Sequence, residues 1–159
     1  MRVLVIDDDP HIRSGLRRLL VLKYRAEVVE AADGSVGCQH LLDYPCDLVL
    51  LDLHMRGMDG MDTLKAIRRS PKHGSLPVFM LTGDSDESVV AGALALGVAG
   101  FLIKPVDASV LFERIDAALA RVAALSALNE AVDQNVQIPA PAPKTAFKQV
   151  LAECVKLRS

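Results

Sequence analysis

The stretch VLVIDDDP, residues 3–10, sets an apolar run directly against three carboxylates and a proline. Val3, Leu4, Val5 and Ile6 have the uncharged, largely β-branched composition of a strand buried on both faces, as in a parallel sheet. Asp7, Asp8 and Asp9 follow without a spacer. Adjacent like charges repel, and in a partly buried cleft they repel more than in water. Two readings account for them: a solvated turn that caps the next helix, or a pocket that holds something positive. Asp9 suits the first, because it can cap a helix whose first position is Pro10.

Working outward, apolar runs of strand length recur at 2–6, 26–31, 47–52, 77–81 and 100–103. Helix-period segments lie between them at 10–22, 35–43, 62–69 and 86–96, with Ile12, Leu16, Leu19 and Leu20 on one face of the first. Strand and helix alternating in this way predict an α/β fold, with a five-stranded parallel sheet doubly wound and covered on both sides. A fifth helix is expected from about Ala108, with Val110, Leu111, Ile115, Leu119 and Val122 packing on the sheet. Its apolar spacing continues through Leu125, Leu128 and Val132. A helix over 108–132 is about 37 Å long at 1.5 Å per residue, more than ordinary strands need. The stretch NVQIPAPAPK (135–144) reads as a semi-rigid proline spacer. Thr145–Leu157 reads as an amphipathic helix with Phe147, Val150, Leu151, Cys154 and Val155 on its apolar side. The expected organisation is therefore a main domain over 1–123, a helix extension over 124–134, the spacer, and a helical tail over 145–159.

The composition narrows the function classes. The formal net charge is −2 and aromatics make up 4% of the chain. Neither phosphate neutralisation nor base stacking is well supplied, so direct nucleic-acid binding is not expected. Cys38, Cys46 and Cys154 are odd in number and form no C-x-x-C, as expected of reduced thiols. The first apolar run is too short for a signal peptide, and the uncharged stretch Val89–Ile103 is short of the roughly 20 residues of a membrane span. A soluble cytoplasmic protein without membrane contact is the expectation. His11, His40 and His73 show no metal-ligand spacing.

Sites in parallel α/β sheets form at the carboxyl ends of the strands. Those ends carry Asp7 and Asp8, then Asp52 in LVLLDLHMRGMDG, Thr82 and Gly83 in VFMLTGDS, and Lys104 and Pro105 in GFLIKP. Three acids around a small cleft suit a hard divalent cation such as Mg²⁺, which takes oxygen ligands and offsets their repulsion. A carboxylate beside such an ion can act as a nucleophile toward phosphorus. A lysine and a hydroxyl suit the oxygens of a transferred phosphoryl group. Taken singly, each residue has a plainer reading: a loop carboxylate, a strand-end hydroxyl, a surface lysine.

Together, in this order and spacing, the four segments resemble the receiver domain of two-component response regulators, over about residues 1–123. The resemblance implies Asp52 as the phosphoacceptor and Asp8 as a direct metal ligand. Asp7 then acts mainly through water, and the backbone carbonyl of His54 is a further ligand. It implies Thr82 as a switch hydroxyl, Lys104 as the site lysine and Pro105 as a cis proline. Phe101 falls at the family's aromatic switch position, although a core phenylalanine explains it equally well. Arg56 stands where the family usually has proline, and Arg56, Gly83 and Asp84 are expected to tune the site together with His54. The implied donor is a phosphohistidine on a sensor histidine kinase or a histidine phosphotransfer protein, and the implied output is contact with a downstream protein target.

On this reading the chain is a signalling module, and not an enzyme beyond its own phosphorylation and dephosphorylation. It is either a stand-alone regulator or the N-terminal fragment of a longer one. A rival class is an aspartyl-phosphate phosphatase of the haloacid dehalogenase kind. That class wants Asp-x-Asp-x-Thr after the first strand, where this chain has Asp7-Asp8-Asp9-Pro10. No G-x-G-x-x-G or P-loop pattern is present. For the overlong helix and tail, the expectation is a homodimer through residues 123–158, with folding back of the tail as the rival.

Overall fold

The structure, a computed structural model, describes residues 1–83 and 87–135. Five parallel strands, β1 (Arg2–Ile6), β2 (Glu27–Ala31), β3 (Leu48–Asp52), β4 (Val78–Thr82) and β5 (Gly100–Ile103), form one sheet in the order β2-β1-β3-β4-β5. Between them run α1 (Pro10–Tyr24), α2 (Gly34–Asp43), α3 (Gly60–Arg69) and α4 (Glu87–Ala95), and α5 (Ala108–Asn135) follows β5. This is the doubly wound, flavodoxin-like arrangement that the alternation predicts.

The strand residues divide by parity between two cores. Val3, Val5, Leu48, Leu50, Phe79 and Leu81 pack on one side with Leu16 and Leu20 of α1 and Leu111 and Ile115 of α5. Leu4, Ile6, Val49, Leu51, Val78 and Met80 pack on the other with Leu41, Leu64, Ile67 and Ala93 from α2, α3 and α4. Burial on both faces is the reason β1, β3 and β4 read as continuous apolar runs rather than alternating ones.

Caps fix where the helices begin. Asp9 accepts from the His11 N–H at 2.8 Å with Pro10 at the first position, as expected. Asp33 and Asp107 cap α2 and α5 in the same way. Asp59 accepts from the Asp62 N–H at 2.8 Å, so α3 starts at Gly60, two residues before the apolar period suggests.

One expected face needs correction. On α5 the inward seam is Leu111, Ile115 and Ala118, with Phe112 and Leu119 at its flank. Val110 and Val122 are 40% and 42% exposed. Each helical residue turns about 100°, so Val110 leaves the seam one step before Leu111. Met1–Leu119 form one unit of the chain, and residues from Ala120 onward belong to a second, of which α5 to Asn135 is described. The expected start of the fourth helix at Asp86, most of the proline spacer and the tail helix lie outside the described residues.

Candidate functional site

The carboxyl ends of β1 and β3, which are hydrogen-bonded neighbours, bring Asp7, Asp8 and Asp52 together. One ligand oxygen from each lies within 4.8 Å of the others. Asp7 is fully buried and Asp52 is 4% exposed, whereas Asp8 is partly open. Lys104, at the end of β5, reaches across the rim. Its Nζ lies 2.7 Å from Asp7 Oδ2 and 2.9 Å from Asp52 Oδ1.

Asp7 is held from several sides. Its N–H donates to the Ala31 carbonyl, its Oδ1 accepts from the Asp9 N–H at 2.9 Å, and Arg13 Nη1 donates to its carbonyl at 2.6 Å. Asp7 Oδ2 sits at ion-pair distance from Lys104 yet receives no well-directed hydrogen bond. The short separation fixes the attraction, and the direction of approach leaves that oxygen short of a donor. Burial raises the Asp52 carboxyl above the usual range and the charge of Asp7 adds to the effect. The hydrogen bond from Lys104 and the backbone N–H of His54 oppose it. Burial disfavours the Lys104 ammonium, but the two acids outweigh that and its pKa is raised.

One ammonium within the pocket and the exposed Arg56 guanidinium at its edge face three carboxylates, which leaves the small, oxygen-only donor set net negative. That set, with its under-coordinated buried oxygen, fits a hard divalent cation. Asp7 and Asp8 thus stand as a charged pocket, and only Asp9 is a capping turn.

Thr82 closes β4 beside Asp52, since Asp52 pairs with Leu81 and Thr82 with Ile103. It is 5% exposed. The Lys104–Pro105 peptide is cis, as the resemblance implied. Phe101 is half-buried against the core under α4 and also borders a groove of about 540 Å³ that Leu94, Ile103 and Val110 share. Arg56 sits over the open side: its N–H donates to Asp8 Oδ2 at 3.3 Å, and its Nε lies 3.5 Å from the same oxygen. His54 and Gly83 are exposed next to the pocket, and Asp84 lies outside the described residues. Cys38 and Cys46 are free and half-buried, and their thiols are pushed up by burial. Cys154 lies outside the described residues.

Three supporting residues escaped the sequence reading. Gly60 is the first: a Cβ there would come 2.2 Å from the Asp52 carbonyl oxygen, so only glycine lets α3 start under the acid. The Asp59-Gly60 pair was the available signal. Arg13, which ties α1 to Asp7, gave none. Arg68 donates to the carbonyls of Leu96, Leu76 and Gly97 at 2.8, 3.0 and 2.8 Å, fastening the end of α4 to α3.

A flavodoxin-like sheet with an acid cluster and a lysine at its carboxyl rim defines a class of α/β protein, and comparison with known proteins gives the family. The response regulator receiver domain matches residues 3–116. The chain belongs to that family and is a receiver domain of two-component signal transduction. It is 39% identical to the nitrate/nitrite response regulator protein NarP of Escherichia coli over 117 residues, 73% of this chain and 54% of that protein. It is 33% identical to the chemotaxis protein CheY of Pseudomonas aeruginosa over 122 residues, 77% of this chain and 98% of that protein. The chain thus matches about half of NarP and nearly all of CheY. Among solved structures, CheY4 of Vibrio cholerae superposes with a TM-score of 0.70 at 27% identity, covering 74% of this chain and 97% of the other. The dehalogenase-type alternative is not favoured. No helix among the described residues is long and apolar enough to cross a membrane.

Proposed function

We propose that Asp52 accepts a phosphoryl group from a phosphohistidine on a sensor histidine kinase or histidine phosphotransfer protein, and that the acquired group changes the chain's contacts with a downstream protein. The observation that carries this reading is the placement of Asp52: a buried carboxylate 2.9 Å from Lys104 and within 4.8 Å of two further acids. Asp7, Asp8 and Asp52, with the carbonyl of His54, would hold Mg²⁺, which supplies positive charge to phosphoryl oxygens. The remaining work falls to the chain. Asp52, ionised, gives an oxygen to phosphorus as the bond from phosphorus to the donor nitrogen breaks. Lys104 offers an ammonium to the oxygens that gain charge, and the Thr82 hydroxyl is the neutral donor at the same rim.

On this reading the chain catalyses only its own phosphorylation and dephosphorylation. Incubation with acetyl phosphate and Mg²⁺, followed by intact mass, tests it. The wild type is expected to gain one phosphoryl mass and Asp52→Asn little or none. Equal gain by both would overturn the assignment, and repeated turnover of small phosphate esters would favour a phosphatase.

A further inference from the structure

On the second half of α5, Val122, Leu125, Leu128 and Val132 are 42%, 61%, 62% and 58% exposed. At 100° per residue they fill an arc of roughly 120°, the width of a stripe that normally faces a core. Such a stripe invites an occupant, and its spacing discriminates between candidates. The steps are three, three and four residues. A parallel pair of identical helices wants threes and fours in alternation, which here would seat Asn129 in the seam. An antiparallel pair of identical helices wants a spacing that reads the same in both directions, and three-three-four does not.

The chain itself carries the reverse spacing. Phe147, Leu151, Cys154 and Leu157 step by four, three and three. Laid antiparallel, Val132 meets Phe147, Leu128 meets Leu151, Leu125 meets Cys154 and Val122 meets Leu157, all in one register. We propose that residues 145–157 form a helix that folds back along α5 and covers this stripe, so that the occupant is the chain's own tail and not a second copy. The lengths agree. The stripe runs about 15 Å and the tail helix about 20 Å at 1.5 Å per residue. The spacer over 136–144, with its prolines, reaches about 28 Å when extended, ample for reversing between helices 8–10 Å apart. The inference concerns the segment after Leu119 and is independent of phosphoryl transfer.

The register makes a test with a native thiol. In the full chain carrying Cys38→Ser and Cys46→Ser, Leu125→Cys under oxidised glutathione is expected to form a disulfide with Cys154 within one chain. Digestion and mass spectrometry would locate it, and sedimentation would show a monomer. Ala127→Cys, on the other side of the helix, is expected to form at least tenfold less. Equal bridging by both, or bridging between chains, would overturn the proposal. A second measurement needs no engineered thiol. In the otherwise natural full chain, Leu151→Asp is expected to speed amide exchange over 120–135 at least tenfold, and unchanged exchange there would count against the fold-back.

Discussion

Arg56 stands where the resemblance led to an expected proline, and its effect follows from position. Its guanidinium lies 3.5 Å from an Asp8 oxygen that a metal would use, so it competes with the metal for that oxygen. The side chain is 93% exposed, so the competition is weak and screened by salt. Arg56→Ala is expected to tighten Mg²⁺ binding about threefold at low ionic strength and less at high salt, read by calorimetric titration. Asp52 gives a prediction with a sign. Burial raises its pKa, so the folded chain holds that proton more readily than the unfolded one. The site then costs stability as pH rises from the ordinary carboxylate range through the raised value, and the cost persists at pH 7. Without metal, Asp52→Asn should melt higher than wild type at pH 7, with the gap closing below the ordinary carboxylate range. A lower midpoint for the variant at pH 7 would show that Lys104's attraction dominates instead. Asp7, Asp52 and Lys104 could be read from the sequence because strand ends in a parallel sheet share one rim. Arg13 and Arg68 could not, because a long arginine on a helix reads the same whether it meets water or distant carbonyls.

At the scale of elements, α3 and α4 are tied by features that periodicity does not register. Arg68 satisfies three carbonyls at the end of α4 and before β4, and burial lowers its pKa. Arg68→Ala leaves those groups without their donor and is expected to cost about 2–3 kcal/mol in urea unfolding. The glycines under the sheet separate rigid from yielding contacts. At Gly60 a Cβ meets the Asp52 carbonyl oxygen and the Leu53 Cα, both backbone. At Gly37 it meets only side-chain atoms of Ile6, Cδ1 at 2.3 Å and Cγ1 at 2.9 Å, so a side chain and not the backbone must shift. Gly60→Ala is expected to cost about 3 kcal/mol and to weaken metal binding, and Gly37→Ala to cost less and leave binding intact, by the same unfolding and titration measurements. β1, β3 and β4 could be read to within a residue because both of their faces are buried. The start of α3 was misplaced because its first turn is specified by a cap and a glycine and not by apolar period.

For the whole molecule, the acid cluster links stability to its counterion. Mg²⁺ at a hundredfold over its dissociation constant is expected to add about 2.7 kcal/mol to unfolding, and Asp8→Asn should abolish most of that gain. Stabilisation of equal size in wild type and variant would place the ion elsewhere. The two-sided fold was evident from the alternation of elements. The exposure of Val110 and Val122 was not, because apolar spacing alone does not fix which way around the helix the seam lies or how far along it the seam runs.

Lys104 divides one positive charge between two acids. On the proposed reading, a phosphoryl group acquired by Asp52 tilts that balance, and the ammonium has a dianion to follow rather than a carboxylate to share. Because it closes β5, next to the groove bordered by Phe101 and Ile103, its re-aiming would send news of a chemical event at the rim down a strand to a surface another protein can feel.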